Sequence, residues 1–177
     1  KEFWTGTLED LSQVPLDPQL KRSEEHSNAT VDVYEVSLAS LDGRRVWAWY
    51  SRPKGDGPFP AYYFCPPTGI YQPGGPIRMP GACTLAIAIH GFDLLLSDVP
   101  DGPHPWKRYH TLGLESAKTA SWRWIYASLV RGMDFLCSRS EVNLKQIAVG
   151  GSSQGGGLAM VLAGLDHRMQ ALLPPLG

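Results

Sequence analysis

A chain of 177 residues, 43% hydrophobic and 19% charged, is long enough to close one globular domain around its own core. Its formal net charge of -1 offers no electrostatic footprint for a polyanion, which excludes nucleic acid as an expected partner. Nineteen glycines and fifteen prolines follow no fixed period, which excludes collagen, low-complexity and solenoid architectures.

The first residues, from Lys1 to Trp4, hold no signal-peptide core. A processed N-terminus would read the same way, so a cytoplasmic and a secreted or periplasmic location both stay open. Glu2 to Leu11 reads as a short helix, followed by a proline-rich extended stretch from Val14 to Pro18 and a charged, solvated loop from Lys21 to Asn28. Val31 to Leu38 alternates with period two, which predicts a half-buried strand. Asp42-Gly43 is a hairpin signal, and Arg45 to Tyr50 is the partner strand. Ala61 to Cys65 and Thr84 to Ile89 are continuous apolar runs, as expected of strands covered on both faces. They are separated by a Pro- and Gly-rich loop from Pro66 to Gly81. His90-Gly91 closes the second run and opens an irregular stretch to about Gly113.

Ser116 to Ser138 is the longest helical candidate. Trp122, Ile125, Tyr126, Leu129, Met133 and Leu136 make its apolar stripe, and Gly132 is a weak spot in it. A short buried strand from Gln146 to Val149, an apolar helix from Leu158 to Leu165 and a last strand from Met169 to Leu173 complete the series. Strands alternating with helices after an opening hairpin predict an α/β domain over residues 1–177. Its N-terminal arm takes about 1–30, and its sheet, mostly parallel with an antiparallel hairpin, takes 31–177. No apolar run approaches the eighteen or so residues of a membrane span. Cys65, Cys83 and Cys137 are odd in number and far apart, with no CxxC. They indicate neither a disulfide framework nor a zinc site, and read as buried free thiols.

Chemistry enters at Gly151-Ser152-Ser153-Gln154-Gly155, which fits G-x-S-x-G, a nucleophile elbow. The frame selects Ser153: centring on Ser152 would need glycine where Gln154 stands. Such an elbow is a tight strand-to-helix turn that lifts the serine oxygen to the carboxyl edge of the sheet. The N–H of the next residue, Gln154, then serves an oxyanion site. The context fits, with a buried strand immediately before and an apolar helix immediately after. The rival reading, a phosphate loop, fails because no Lys follows the glycines and Gly155-Gly156-Gly157 runs into Leu158-Ala159-Met160. A serine needs a base and the base an orienting carboxylate, and in this fold both follow the serine in the chain. Only Asp166 and His167 follow Ser153. They are adjacent, too close to the elbow helix to complete a triad, and read as a solvent-facing helix end. His26, His90, His104 and His110 precede the serine. The base and acid are therefore expected beyond Gly177.

Ile147 to Met160 (I-A-V-G-G-S-S-Q-G-G-G-L-A-M) and Ala163 to Ala171 resemble the acetyl xylan esterase / cephalosporin-C deacetylase family of the α/β-hydrolase superfamily. So do Phe3-Trp4, Pro15-Leu16-Asp17, Leu41 to Arg44, Trp49 to Pro53 and Arg131 to Leu136. The resemblance implies an α/β-hydrolase three-layer sandwich of which this chain is the N-terminal part, C-terminally truncated. It implies Ser153 as nucleophile and no metal or organic cofactor. It also implies a small acetylated sugar as substrate and a ring-shaped homo-oligomer, commonly a hexamer. A second oxyanion donor is implied at the N–H of Thr68, in Pro66-Pro67-Thr68-Gly69. Ser152 and Pro67 stand where the family usually has glycine; the proline fixes the backbone just before Thr68. Tyr71, Phe92 and Trp106 are candidates to limit the acyl group or stack on a sugar. The expected function is a serine carboxylesterase removing acetyl groups from acetylated xylan or xylo-oligosaccharides through an acyl-enzyme. The alternatives are a peptidase- or lipase-like hydrolase of the same fold and a non-catalytic module that kept the fold.

Overall fold

The computed structural model describes residues 2–68, 75–89 and 109–173. Helix α1 (Glu2–Ser12) leads into strands β1 (Gln19–Arg22), β2 (Val31–Ala39), β3 (Arg45–Pro53), β4 (Phe59–Cys65) and β5 (Cys83–Ala88). Helix α2 (Ser121–Cys137), strand β6 (Val142–Gly151), helix α3 (Gln154–Leu165) and strand β7 (Ala171–Leu172) follow. The strands form one seven-stranded sheet in the order β1-β2-β3-β5-β4-β6-β7. Strands β1, β2, β3 and β5 are antiparallel neighbours, while β5, β4, β6 and β7 run parallel.

The antiparallel half is one strand wider than the hairpin read from the sequence. Gln19 to Arg22, placed there in and before a solvated loop, pair instead with Tyr34 to Ser37. The Asp42-Gly43 turn forms as expected, with both residues at positive φ (58° and 69°) and the Arg44 N–H donating to the Leu41 carbonyl at 3.1 Å. That twist matches the flanking strands.

Alternation along each strand sorts its side chains onto two faces. Val36, Leu38, Val46, Ala48, Tyr50, Tyr63, Cys65, Leu85, Ile87, Ile147 and Val149 point to one of them. There α1, α2 and α3 cover them with Leu11, Ile125, Leu129, Met133, Leu158 and Leu162, among others. Val31, Val33, Trp49, Ala86 and Ala88 form a smaller cluster on the other face, with Trp47, Phe64 and Ile77 against it. Helix α2 begins five residues later than its apolar pattern predicts. Ser116 and Thr119 spend their side chains on a turn: the Thr119 hydroxyl donates to the Gly113 carbonyl at 2.8 Å, and the Thr119 N–H to Ser116 Oγ at 3.2 Å. Short hydroxyl side chains of this kind compete with the helix for its own backbone groups.

Gly132, a flaw by propensity, is a slot. A Cβ there would sit 2.2 Å from Tyr63 Oη, which is fully buried and donates to the Leu129 carbonyl at 2.9 Å. Gly132→Ala is therefore expected to destabilise the protein despite the better helix former. The overpacking cost of about 1–3 kcal/mol exceeds a propensity gain of about 1 kcal/mol at most. A thermal melt checks it: the midpoint falls by a few degrees, and adding Tyr63→Phe recovers part of the loss.

Candidate active site

Parallel strands deliver their carboxyl ends to one edge of the sheet, and the candidate site lies there. Strand β6 ends at Gly151, and α3 starts at Gln154, so Ser152 and Ser153 make the whole turn. Ser153 is exposed and sits at φ 50°, ψ -120°. This is a sparsely populated conformation for a residue with a Cβ, costing about 1–3 kcal/mol. The Ser152 and Ser153 carbonyls accept the N–H groups of Gly155 and Gly156 at 2.7 and 2.9 Å, which closes the turn into the first coil of α3. The positive end of the helix is thus aimed at the serine.

The flanking glycines are required by contact. A Cβ on Gly151 would lie 2.5 Å from the Cys65 carbonyl oxygen, and one on Gly155 would lie 2.1 Å from that same oxygen. The elbow therefore rests directly on the end of β4, with no side chain between. Cys65 is fully buried beneath it, and burial pushes its thiol well above the usual range, so it is a packing residue and no rival nucleophile. Cys83 is likewise buried and Cys137 half-buried, and all three thiols are free.

Thr68, exposed, follows Cys65 by three residues, and its Oγ1 lies 3.4 Å from Gln154 Oε1. The three residues singled out from the sequence thus meet at one edge: Ser153 at the turn, Gln154 as first residue of α3, Thr68 on the loop leaving the adjacent strand. One member was not legible in the sequence. The hydroxyl of Tyr109 donates to Gln154 Oε1 at 2.6 Å, from a ring that is 1% exposed.

Asp166 and His167 do lie away from the elbow, at the far end of α3, about 18 Å along a helix of twelve residues. Only His167 faces solvent. Asp166 is buried and grips Arg168, whose guanidinium reaches it at 2.5–3.1 Å and also contacts Asp134 at 2.7 Å. Asp166 is a structural anchor, and its expected solvent-facing place is corrected accordingly. Among the described residues, none of His26, His110 and His167 is hydrogen-bonded to Ser153. His26 binds Ser23 Oγ at 3.1 Å and stacks near Trp49, while the exposed His110 lies edge-on to Tyr109. Tyr71, His90, Phe92, His104 and Trp106 lie outside the described residues. Among the described residues no cluster of His, Cys, Asp and Glu could hold a metal ion, and no helix is long and apolar enough to cross a membrane.

The arrangement resembles that of known proteins. The chain is 27% identical, over 96% of its length, to acetyl esterase Axe7A of Xylanibacter ruminicola, and spans 41% of that protein. It superposes with a TM-score of 0.80 on acetyl xylan esterase from Paenibacillus sp. R4, at 29% identity, covering 98% of this chain and 57% of that one. Acetyl xylan esterase 1 from Thermoanaerobacterium sp. JW/SL YS485 shares the fold at a TM-score of 0.77 and 20% identity, with 97% and 56% of the two chains covered. The chain thus spans about half the length of these relatives, or less. The family model for acetyl xylan esterase (AXE1) matches residues 1–176, and the chain belongs to that family.

Proposed function

We propose that this chain carries the nucleophile and oxyanion site of a serine carboxylesterase that removes acetyl groups from acetylated xylan or xylo-oligosaccharides. The observation that carries the reading is Ser153 itself: exposed, held at positive φ, and seated on the Cys65 carbonyl through two glycines that admit no Cβ. Family membership and the acetyl esterases it resembles support the substrate class.

In this mechanism Ser153 Oγ attacks the acetyl carbonyl and passes its proton to a histidine base, which with its carboxylate comes from outside the described residues. The oxyanion is received by the N–H groups of Gln154 and Thr68. Collapse expels the sugar oxygen, which takes the proton from the base. Water then attacks the acetyl-enzyme, giving its proton to the base, and acetate leaves as Ser153 is reprotonated. No step calls for a metal or organic cofactor. A ring-shaped homo-oligomer rests on the family resemblance, and light scattering on the purified protein tests it.

The acyl pocket gives the sharpest test of the substrate class. Each added methylene gains about 0.8 kcal/mol where there is apolar room, and overpacking costs about 1–3 kcal/mol where there is none. The sign of the trend therefore reports the pocket. In the full-length protein the expected result is a fall in kcat/KM of about tenfold or more from p-nitrophenyl acetate to butyrate, with acetate released from acetylated xylo-oligosaccharides. A rise toward octanoate would favour a lipase-like groove, and hydrolysis of aminoacyl p-nitroanilides a peptidase. No hydrolysis of any ester above a Ser153→Ala control would favour a non-catalytic module.

A further inference from the structure

Two contacts converge on the side chain of Gln154, the residue after the nucleophile. Its Oε1 accepts from Tyr109 Oη at 2.6 Å and lies 3.4 Å from Thr68 Oγ1. Among the described residues its buried Nε2 has no hydrogen-bond partner. Of the two hydroxyls, Tyr109 makes the short, strong contact, and among the described residues Nε2 adds no other anchor.

Tyr109 is itself firmly seated. Its ring is 1% exposed and packs edge-on against Trp122 at 6.0 Å and His110 at 4.0 Å. Its carbonyl accepts the hydroxyl of Ser121, the first residue of α2. Helix α2 follows β5 and α3 follows β6, so both helices begin at the carboxyl edge of the parallel strands. The Tyr109–Gln154 contact therefore braces the start of α3 against the start of α2, and through Thr68 it touches the loop leaving β4.

We propose that Tyr109 is a positioning residue for ester hydrolysis: its hydroxyl holds Gln154, and thereby fixes where the Gln154 and Thr68 N–H groups meet the developing oxyanion. The inference rests on the functional reading above, in which those two N–H groups stabilise the tetrahedral intermediate. Physically, an oxyanion hole works by being oriented before charge appears, and a donor displaced by a fraction of an ångström loses much of its effect. A side chain with one firm contact depends on that contact for its order. Removing it takes away the firm contact that orders Gln154 beside the nucleophile.

The test uses Tyr109→Phe, Gln154→Met and the double variant, made in the full-length protein that supplies the base, and assayed with p-nitrophenyl acetate beside wild type and Ser153→Ala. Tyr109→Phe keeps the ring and its packing. It is expected to lower kcat by about tenfold, a fraction of the 10²–10³ that a whole oxyanion donor supplies, with KM changed by less than about twofold. Affinity for a trifluoromethyl ketone, which forms a tetrahedral adduct on the serine, should weaken by the same factor as kcat/KM. Gln154→Met removes the same contact from the other side and should show the same split. The double variant should lose no more than either single one, because both delete one interaction. A wild-type kcat in Tyr109→Phe, a loss confined to KM, or losses that multiply in the double variant would each overturn the proposal. Should Tyr109→Phe fail to melt cooperatively, Gln154→Met and the ketone decide it: wild-type kcat and ketone affinity in Gln154→Met overturn it. If wild type itself shows no turnover above Ser153→Ala, the functional reading fails, and that result is distinct from any of these.

Discussion

In the full-length protein, replacing Ser153 by alanine is expected to lower kcat/KM for p-nitrophenyl acetate by at least about a thousandfold, while Ser152→Ala stays within about tenfold of wild type. The two serines are neighbours, but only one is placed to react. Ser153 occupies the turn at φ 50°, exposed, at the positive end of α3, whereas Ser152 is half-buried and its carbonyl is engaged by the Gly155 N–H at 2.7 Å. Stability should move in a different pattern from activity. Alanine keeps the Cβ and therefore the backbone strain, so Ser153→Ala should melt close to wild type. Glycine has no Cβ and adopts this conformation freely, so Ser153→Gly should be as inactive as the alanine variant yet melt higher. The gain is about 1 kcal/mol, the low end of what such a residue costs, since glycine also makes the unfolded chain more flexible. A serine-directed organophosphonate should label wild type and Ser152→Ala, but neither Ser153 variant. If Ser152→Ala were the inactive protein and Ser153→Ala retained turnover, the nucleophile would be misassigned.

That serine was legible because two kinds of signal coincide on it. Gly151 and Gly155 are required by contact with Cys65, and the buried strand and apolar helix on either side are read from hydrophobic pattern alone. Strands β2 to β5 and the latter part of β6 were equally legible, because their apolar residues either alternate or run unbroken. What escaped had no apolar signature. Strand β1 exposes Gln19, Leu20 and Lys21, and its place in the sheet comes from backbone pairing with β2, which side chains do not announce. The first part of β6 is similar, with Leu144, Lys145 and Gln146 exposed beside a register shift against β4. Gly132 looked like a flaw because propensity is local, and the ring that needs its slot comes from Tyr63 on another element. Tyr109 gave no signal at all: its role depends on a contact with a residue 45 positions away, between two helix starts that only the folded sheet brings together.

Gly155→Ala is expected to cost more than a hundredfold in kcat/KM and to lower the melting temperature, although alanine is the better helix former at a helical position. Two effects oppose each other. Propensity and a stiffer unfolded chain favour alanine by up to about 1 kcal/mol. Against that, the new Cβ would lie 2.1 Å from the Cys65 carbonyl oxygen, 2.9 Å from its carbon and 2.9 Å from the Pro66 oxygen. All three are backbone atoms at the buried end of β4, so no side chain can swing aside, and the cost should reach the upper part of the roughly 1–3 kcal/mol typical of overpacking, or exceed it. Relief requires α3 to lift away from β4 or the Cys65–Thr68 segment to shift. Either movement separates Ser153 and Gln154 from Thr68, and a misplacement of about 1 Å at such a site can cost about a hundredfold in rate. The control lies two residues further along the same helix. Gly157 is exposed, and a Cβ there would meet nothing within 4 Å. Gly157→Ala should therefore keep wild-type kcat/KM and raise stability by about 0.5–1 kcal/mol. Melting curves and p-nitrophenyl acetate kinetics on the two variants of the full-length protein decide the matter. Wild-type activity and stability in Gly155→Ala would mean that α3 does not rest on the Cys65 carbonyl. If both variants lost activity alike, helix stiffening would be responsible, and the close seating of the elbow on β4 would not be its cause.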